Sequence, residues 1–334
     1  MLKFDFYEKL NINIDLAAEA HALLRGEENK EIPGVSEKIK DLENLKITEI
    51  TILNQEGSAA LGRPQGSYIT VDAPHLSVNS EALDNQEVSQ LRESCAMALK
   101  DTLISLLPDG ENPVLIVGLG NPDITADALG PQVTELTMAT RHLFIHLAEH
   151  MEEGFSNTAL FAPNVMGRTG MEAAESVKAV AESIQAKAII AIDALAAASV
   201  ARVGSSLQIT DSGITPGGGL GNIRAALTQE AIGIPVIAIG VPTVVSLGAI
   251  LGETLNNTAE LLAEKNAAEI LNENSAADII GKSLAGRHGD FAVTPKDIDE
   301  VTEVLSQVIA LGIHLALHPA LNLANYHQYL DIRL

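Results

Sequence analysis

Ala188-Ile189-Ile190-Ala191-Ile192-Asp193-Ala194-Leu195 is the stretch whose reading decides the fold. An apolar run with three isoleucines reads as a strand buried on both faces. It delivers an aspartate at its end. A second run, Val114-Leu115-Ile116-Val117-Gly118-Leu119-Gly120-Asn121, is followed shortly by Asp127. An open α/β sheet places its chemistry just beyond the carboxyl ends of its strands. Two such segments therefore bring two carboxylates to one edge. A carboxylate in apolar sequence also needs a reason to be there, because burying an unpaired charge is expensive.

Outward from these runs, strands are predicted at 46–53, 67–71, 113–118, 187–193, 205–210 and 234–240. Helices are predicted at 80–107, 125–143, 171–185, 221–229, 243–263 and 295–317. Buried strands alternating with amphipathic helices indicate the α/β class, a doubly wound and mostly parallel sheet sandwiched by helices. The N-terminal part, 1–45, is charged and helical around Leu16–Leu24. The Asn-, Glu- and Ala-rich span near 264–284 reads as a surface insertion.

Lys and Arg number 21 against 44 Asp and Glu, a net charge of -23. Such a surface repels phosphate backbones, so direct nucleic-acid binding is disfavoured. No uninterrupted apolar run is long enough for a membrane, and Met1–Lys9 lacks a signal-peptide core. The expectation is a soluble cytoplasmic protein. The single cysteine, Cys95, excludes an internal disulfide and a Cys-based metal cage. Its helical setting predicts a packed small hydrophobe.

The segment Gly118-Leu119-Gly120-Asn121-Pro122-Asp123 suggests a dinucleotide loop, but Asp123 stands where the third glycine is required. Thr125 is the expected N-cap, which puts Asp127 in the first helical turn, where the dipole favours a carboxylate. Either aspartate alone has a structural explanation: Asp127 as an ordinary helix-starting acid, Asp193 as a cap or a partner of Arg202. Together they can share a proton, one activating water while the other polarises a carbonyl. Asp127 is expected to be the ionised base and Asp193, in its apolar setting, the proton carrier. The glycine-rich segment Ile209–Asn222 is either a substrate or oxyanion loop or a tight chain crossing. His142, His146 and His150 recur every fourth residue but close a predicted helix. Arg63, Arg168 and Arg224 lie in glycine-rich turns and either position a substrate or make loop salt bridges. Gly281-Lys282-Ser283 lacks the first Walker glycine, Ala276 standing in its place. No His-Glu-x-x-His or Gly-x-Ser-x-Gly motif occurs.

Taken in order, several blocks resemble the germination protease family of endospore-forming bacteria. They are Gly66–Thr70, Gly118–Asn121 with Thr125–Pro131, Val165–Glu172, Ala191–Ala197, Ser212–Asn222, Ile234–Val245 and Val293–Lys296. The resemblance implies an atypical aspartic endopeptidase whose catalytic residues are Asp127 and Asp193. It implies a fold similar to hydrogenase-maturation peptidases (phosphorylase/hydrolase-like) and a homotetramer. Small acid-soluble spore proteins are the implied substrates, the spore core the implied compartment, and no cofactor or metal is called for. It also implies a self-processing zymogen: Ile14-Asp15-Leu16-Ala17-Ala18-Glu19 matches the activating site, with the cut between Asp15 and Leu16. Residues 1–15 would then be a propeptide and 16–334 one peptidase domain. Asp15–Glu19 copies the family's substrate pattern of acid, large apolar, small, small, acid. Arg168 and Gly217, Gly218 and Gly219 are the expected substrate contacts. The chain departs from the family where Ala126 replaces a proline, where Asn164 replaces a glycine, and in a shorter insertion before the last helix. Two other readings stay open. One is a metal-dependent peptidase using the same aspartates as ligands with a histidine. The other is a nucleotide- or regulator-binding module built on the glycine loops.

Overall fold

The two decisive segments lie side by side in the middle of one sheet. The computed structural model describes residues 14–26, 30–76, 83–108, 113–216, 225–264, 291–330 and 332. The strands are β1 (Val35–Asp41), β2 (Lys46–Ile52), β3 (Gly66–Asp72), β4 (Val114–Gly118), β5 (Thr158–Phe161), β6 (Ala188–Ala197), β7 (Ser206–Thr210), β8 (Val236–Ser246) and β9 (Ala292–Val293). The helices used below are α1 (Ala17–Arg25), α2 (Gln55–Leu61), α3 (Asn85–Leu106), α4 (Leu129–Leu136), α5 (Arg141–His146), α6 (Met166–Thr169), α7 (Ala173–Ile184), α8 (Gln229–Ile232), α9 (Leu247–Glu264) and α10 (Ile298–Leu317).

The spatial order is β1-β2-β3-β7-β8-β6-β4-β5, with β9 beside β8. The pairs β8–β6, β6–β4 and β4–β5 are parallel. The remainder, β1–β2–β3–β7–β8 and β8–β9, is antiparallel. The α/β class with helices flanking the sheet is as read; the sheet expected to be mostly parallel is mixed, parallel through β8–β6–β4–β5 and antiparallel in the wing. In the wing β2 alternates in burial, whereas β4, β7 and most of β8 are buried throughout. That contrast is what a one-sided and a two-sided sheet demand. The outermost strand, β1, carries Glu37, Lys38, Lys40 and Asp41, charges that suit an edge.

Side-chain alternation divides the centre into two cores. Val114, Ile116, Ile190, Ile192, Ile237 and Ile239 pack with α3 and α10. Leu115, Val117, Ile189, Ala191 and Val236 pack with α7. Helix α10 is apolar and long enough to cross a membrane by composition, yet most of it is buried in the first core. Helix α3 starts at a capping box made by Asp84 and Glu87, and Cys95 is packed in its buried face. Burial pushes the Cys95 thiol up to about 12, so it is an inert hydrophobe as expected. Helix α1 packs Ala17 and Ala20 on Ile50, Ile52, Leu61 and Tyr68. His21 and Arg25 of α1 both meet Glu37 of β1.

Two helices differ from the sequence reading. The helix predicted over 125–143 is a 3-10 turn, Thr125–Asp127, followed by α4 and α5. Pro131 has no amide hydrogen to give a preceding turn, so α4 begins two residues before it. At the other end the Thr137 hydroxyl donates to the Val133 carbonyl at 2.6 Å, competing with the main chain. Of the helix expected at 221–229, residues 221–224 lie outside the described residues, 225–228 are not helical, and α8 begins at Gln229, capped by Thr228. Leu227 pairs with Ile214 through two main-chain bonds just before it. The insertion near 264–284 lies, from residue 265 onward, outside the described residues.

Candidate active site

Asp193 sits inside β6, which runs on to Ala197 instead of stopping at 193. Its neighbour β4 stops at Gly118, opposite Ile192. Asp193 is therefore the first β6 residue past the end of β4, facing the loop 119–128. It is buried, and its Oδ1 accepts the Ala194 N–H at 2.9 Å. Arg202, a possible partner in sequence, instead meets Asp72 at 2.8 Å and Glu19 at 3.6 Å.

Asp127 ends the 3-10 turn and does not lie in the first turn of α4; Thr125 lies inside that turn, whose N-cap position is Ile124. The Asp127 carboxylate turns back toward β4 and accepts the Asn121 N–H at 2.9 Å. Two glycines permit this. Gly120 has φ +111°, a left-handed conformation that resists side chains, and a Cβ there would meet Asp127 itself. Gly130 lets α4 approach the ends of β4 and β6, close to the Leu119 main chain and the Ile192 carbonyl. The Leu119 N–H in turn donates to the Ile192 carbonyl at 2.8 Å. The Thr243 hydroxyl of β8 ties down the Ala126 carbonyl at 2.6 Å.

Both aspartates line one cavity of about 510 Å³. Asp15 lines it too, with Arg63, Tyr68, Asn164 and Gln208. The segment Asp15–Glu19 is packed against the far part of β6. The Asp15 carboxylate accepts the Ala196 N–H at 2.8 Å, and Glu19 accepts the Ala198 N–H at 2.9 Å. Leu16 and Ala17 are fully buried. Arg63 donates to the Ile14 carbonyl and lies 6.0 Å over the Tyr68 ring. Burial raises the Asp15 carboxyl above its usual range, opposed by the Ala196 N–H and Arg63. Burial likewise raises Glu19 to about 7, opposed by the Ala198 N–H and Arg202.

Of the other candidates, Arg168 is exposed on α6 and pairs with Asp123. Gly217, Gly218, Gly219 and Arg224 lie outside the described residues. His142, His146 and His150 cannot form one stripe, since α5 ends at His146 and a separate 3-10 turn carries His150. Among the described residues, no three His, Cys, Asp or Glu side chains gather as a metal site. Asn164 adopts φ 65°, a left-handed position where asparagine is among the few tolerated side chains. Glycine and asparagine both suit such a position. Gln208 was missed in sequence. Its only signal is a polar residue between Leu207 and Ile209 in an otherwise buried strand.

The family model for germination protease matches residues 13–265. A germination protease of Clostridium tetani is 38% identical over 331 residues, covering 96% of this chain and 100% of the relative. That of Clostridium acetobutylicum is 35% identical, covering 96% of this chain and 99% of the relative. That of Bacillus mycoides is also 35% identical, covering 96% of this chain and 97% of the relative. Among solved structures, a NiFe hydrogenase maturation protease of Thermococcus kodakarensis is similar to 57% of this chain and 99% of its own, at 17% identity and a TM-score of 0.29.

Proposed function

The chain belongs to the germination protease family and is a spore-germination endopeptidase, and we propose that Asp127 and Asp193 work as a water-activating pair whose first substrate is the chain's own Asp15–Leu16 bond. One observation carries the reading: Asp15 lines the same cavity as both aspartates, and Ala17 and Glu19 after it are held by hydrogen bonds to Gln208 and Ala198. Hydrolysis then balances with one shared proton. Asp127 takes a proton from water as the oxygen attacks the Asp15 carbonyl carbon. Asp193 gives its proton to the carbonyl oxygen. Collapse breaks the C–N bond, and the Leu16 nitrogen leaves with a proton returned by the pair.

In this reading the docked segment is a substrate copy. Arg63 and the Ala196 N–H hold the acid before the cut, and Arg202 with the Ala198 N–H holds the acid four residues on. Buried Leu16 and the small Ala17 and Ala18 fill the space between. The family resemblance extends the proposal to small acid-soluble spore proteins as later substrates, to the spore core, and to a homotetramer. Arg168 and the loop of Gly217, Gly218 and Gly219 remain proposed contacts for those substrates.

The test is Asp127→Asn and Asp193→Asn, each measured by N-terminal sequencing after incubation and by cleavage of a spore protein. Wild type is expected to begin at Leu16, and each variant to retain its original N-terminus and leave the substrate intact. A variant that still processes at the wild-type rate refutes the pair.

A further inference from the structure

Gln208 of β7 stands opposite Gly240 of β8, and Gly240 stands opposite Asp193 of β6. Residues paired across strands project from the same face. Leu207 and Ile209, on either side of Gln208, go to the opposite core. Gln208 and Asp193 therefore share a face, two strand spacings or roughly 10 Å apart. The residue between them is glycine. Because Gly240 brings no side chain of its own, the Leu195 side chain takes the space over it.

A buried glutamine needs partners for both ends of its amide. Those of Gln208 are both main-chain groups of the N-terminal segment. Its Nε2 donates to the Asp15 carbonyl at 3.1 Å, and its Oε1 accepts the Ala17 N–H at 2.6 Å. Only one orientation of the amide makes both bonds, since a carbonyl needs a donor and an N–H an acceptor. The two bonds straddle Leu16, so the Asp15–Leu16 bond is gripped from both sides. The donated bond falls on the oxygen that gathers negative charge when water attacks.

We propose that Gln208 is a catalytic residue of self-processing, which grips the segment through the Ala17 N–H and polarises the Asp15 carbonyl as an oxyanion donor. The inference rests on Asp15–Leu16 being the bond cut by Asp127 and Asp193. A neutral donor suits the place, because it stabilises the oxyanion without neutralising the nearby carboxylates.

The experiment follows self-processing of the full chain in a single turnover, for wild type, Gln208→Glu and Gln208→Met. Gln208→Glu keeps the acceptor for Ala17 and loses the donor. Its rate is expected to fall about 10²- to 10³-fold at neutral pH, the usual cost of removing one oxyanion donor. As pH falls and the introduced carboxyl gains an O–H, the ratio of its rate to wild type is expected to climb. A residue that holds the segment only through the Ala17 N–H would show no such climb. Gln208→Met, uncharged and similar in length, is expected to be slow at every pH, and it decides the matter if the introduced charge unfolds the chain. Processing by either variant within threefold of wild type at neutral pH overturns the inference. The underlying reading fails separately, if the new N-terminus is not Leu16 or if Asp127→Asn still cuts there.

Discussion

Gly130→Ala tests whether the close seating of α4 sets the distance between the two aspartates. An added Cβ would lie 2.6 Å from the Leu119 nitrogen and 2.7 Å from the Ile192 oxygen, and nearer still to the Leu119 oxygen. Ordinary contact begins near 3.4 Å, and all three atoms are main chain that cannot swing aside. The helix must retreat by about 1 Å, and a displacement of that size costs catalysis roughly 10²-fold. Overpacking of this kind costs about 1–3 kcal/mol. Against it stands the helix preference of alanine over glycine, about 1 kcal/mol. The two effects have opposite signs, so the sign of the stability change decides. The expected result is a lower thermal midpoint, together with self-processing slowed about 100-fold. A raised midpoint with an unchanged rate would refute the reasoning, because it would mean the added methyl meets nothing and Asp127 has not moved.

Two further outcomes are expected. His314 and His318 of the α10 end are buried, and burial lowers both to about 4. Each accepts a main-chain N–H, from Met138 at 2.9 Å and Ser156 at 3.1 Å, so each must be neutral in the fold. Their folded values lie below the ordinary imidazole value of 6.5, so their contribution is complete above pH 6.5 and is lost as pH falls toward 4. Chemical denaturation as a function of pH should show this loss, and His318→Gln, which keeps an acceptor, should flatten it; an unchanged slope counts against the assignment. Replacing Arg63 by Met removes the cation near Asp15. Wild type should process its own sequence faster than an Asp15→Asn version by roughly tenfold or more, the size of a charge-assisted contact. In the Arg63→Met background that preference should shrink, with the Ala196 N–H still holding the acid, measured by gel densitometry over time; a preserved preference means that Arg63 does not read the acid.

Much of the site was legible because its signals are local. Asp193 betrays itself by following isoleucines, and Asp127 by following a glycine-bearing strand end. The sequence blocks that carry the family resemblance include both. The errors are those of context. The helix over 125–143 breaks because Pro131 and Thr137 act at particular turns, which apolar periodicity does not register. Thr125 looked like a cap because it precedes an apolar run, yet the chain there winds into a 3-10 turn around Asn121. Arg202 was one possible partner of Asp193 by nearness in sequence, but the curvature of the chain after β6 carries it to Asp72 and Glu19.

The chain's own letters determined the α/β class, the two acidic strand ends and the acid–apolar–small–small–acid segment, since each depends on residues close together in the chain. Which groups meet was decided by the tertiary structure alone. Asp15 reaches Ala196 across 181 positions, and Gln208 reaches Asp15 across 193. No local pattern encodes such meetings. They follow from strand order, which sets β7, β8 and β6 side by side with a glycine in the middle row, and from the burial of Leu16 and Ala17, which holds the N-terminal segment above it.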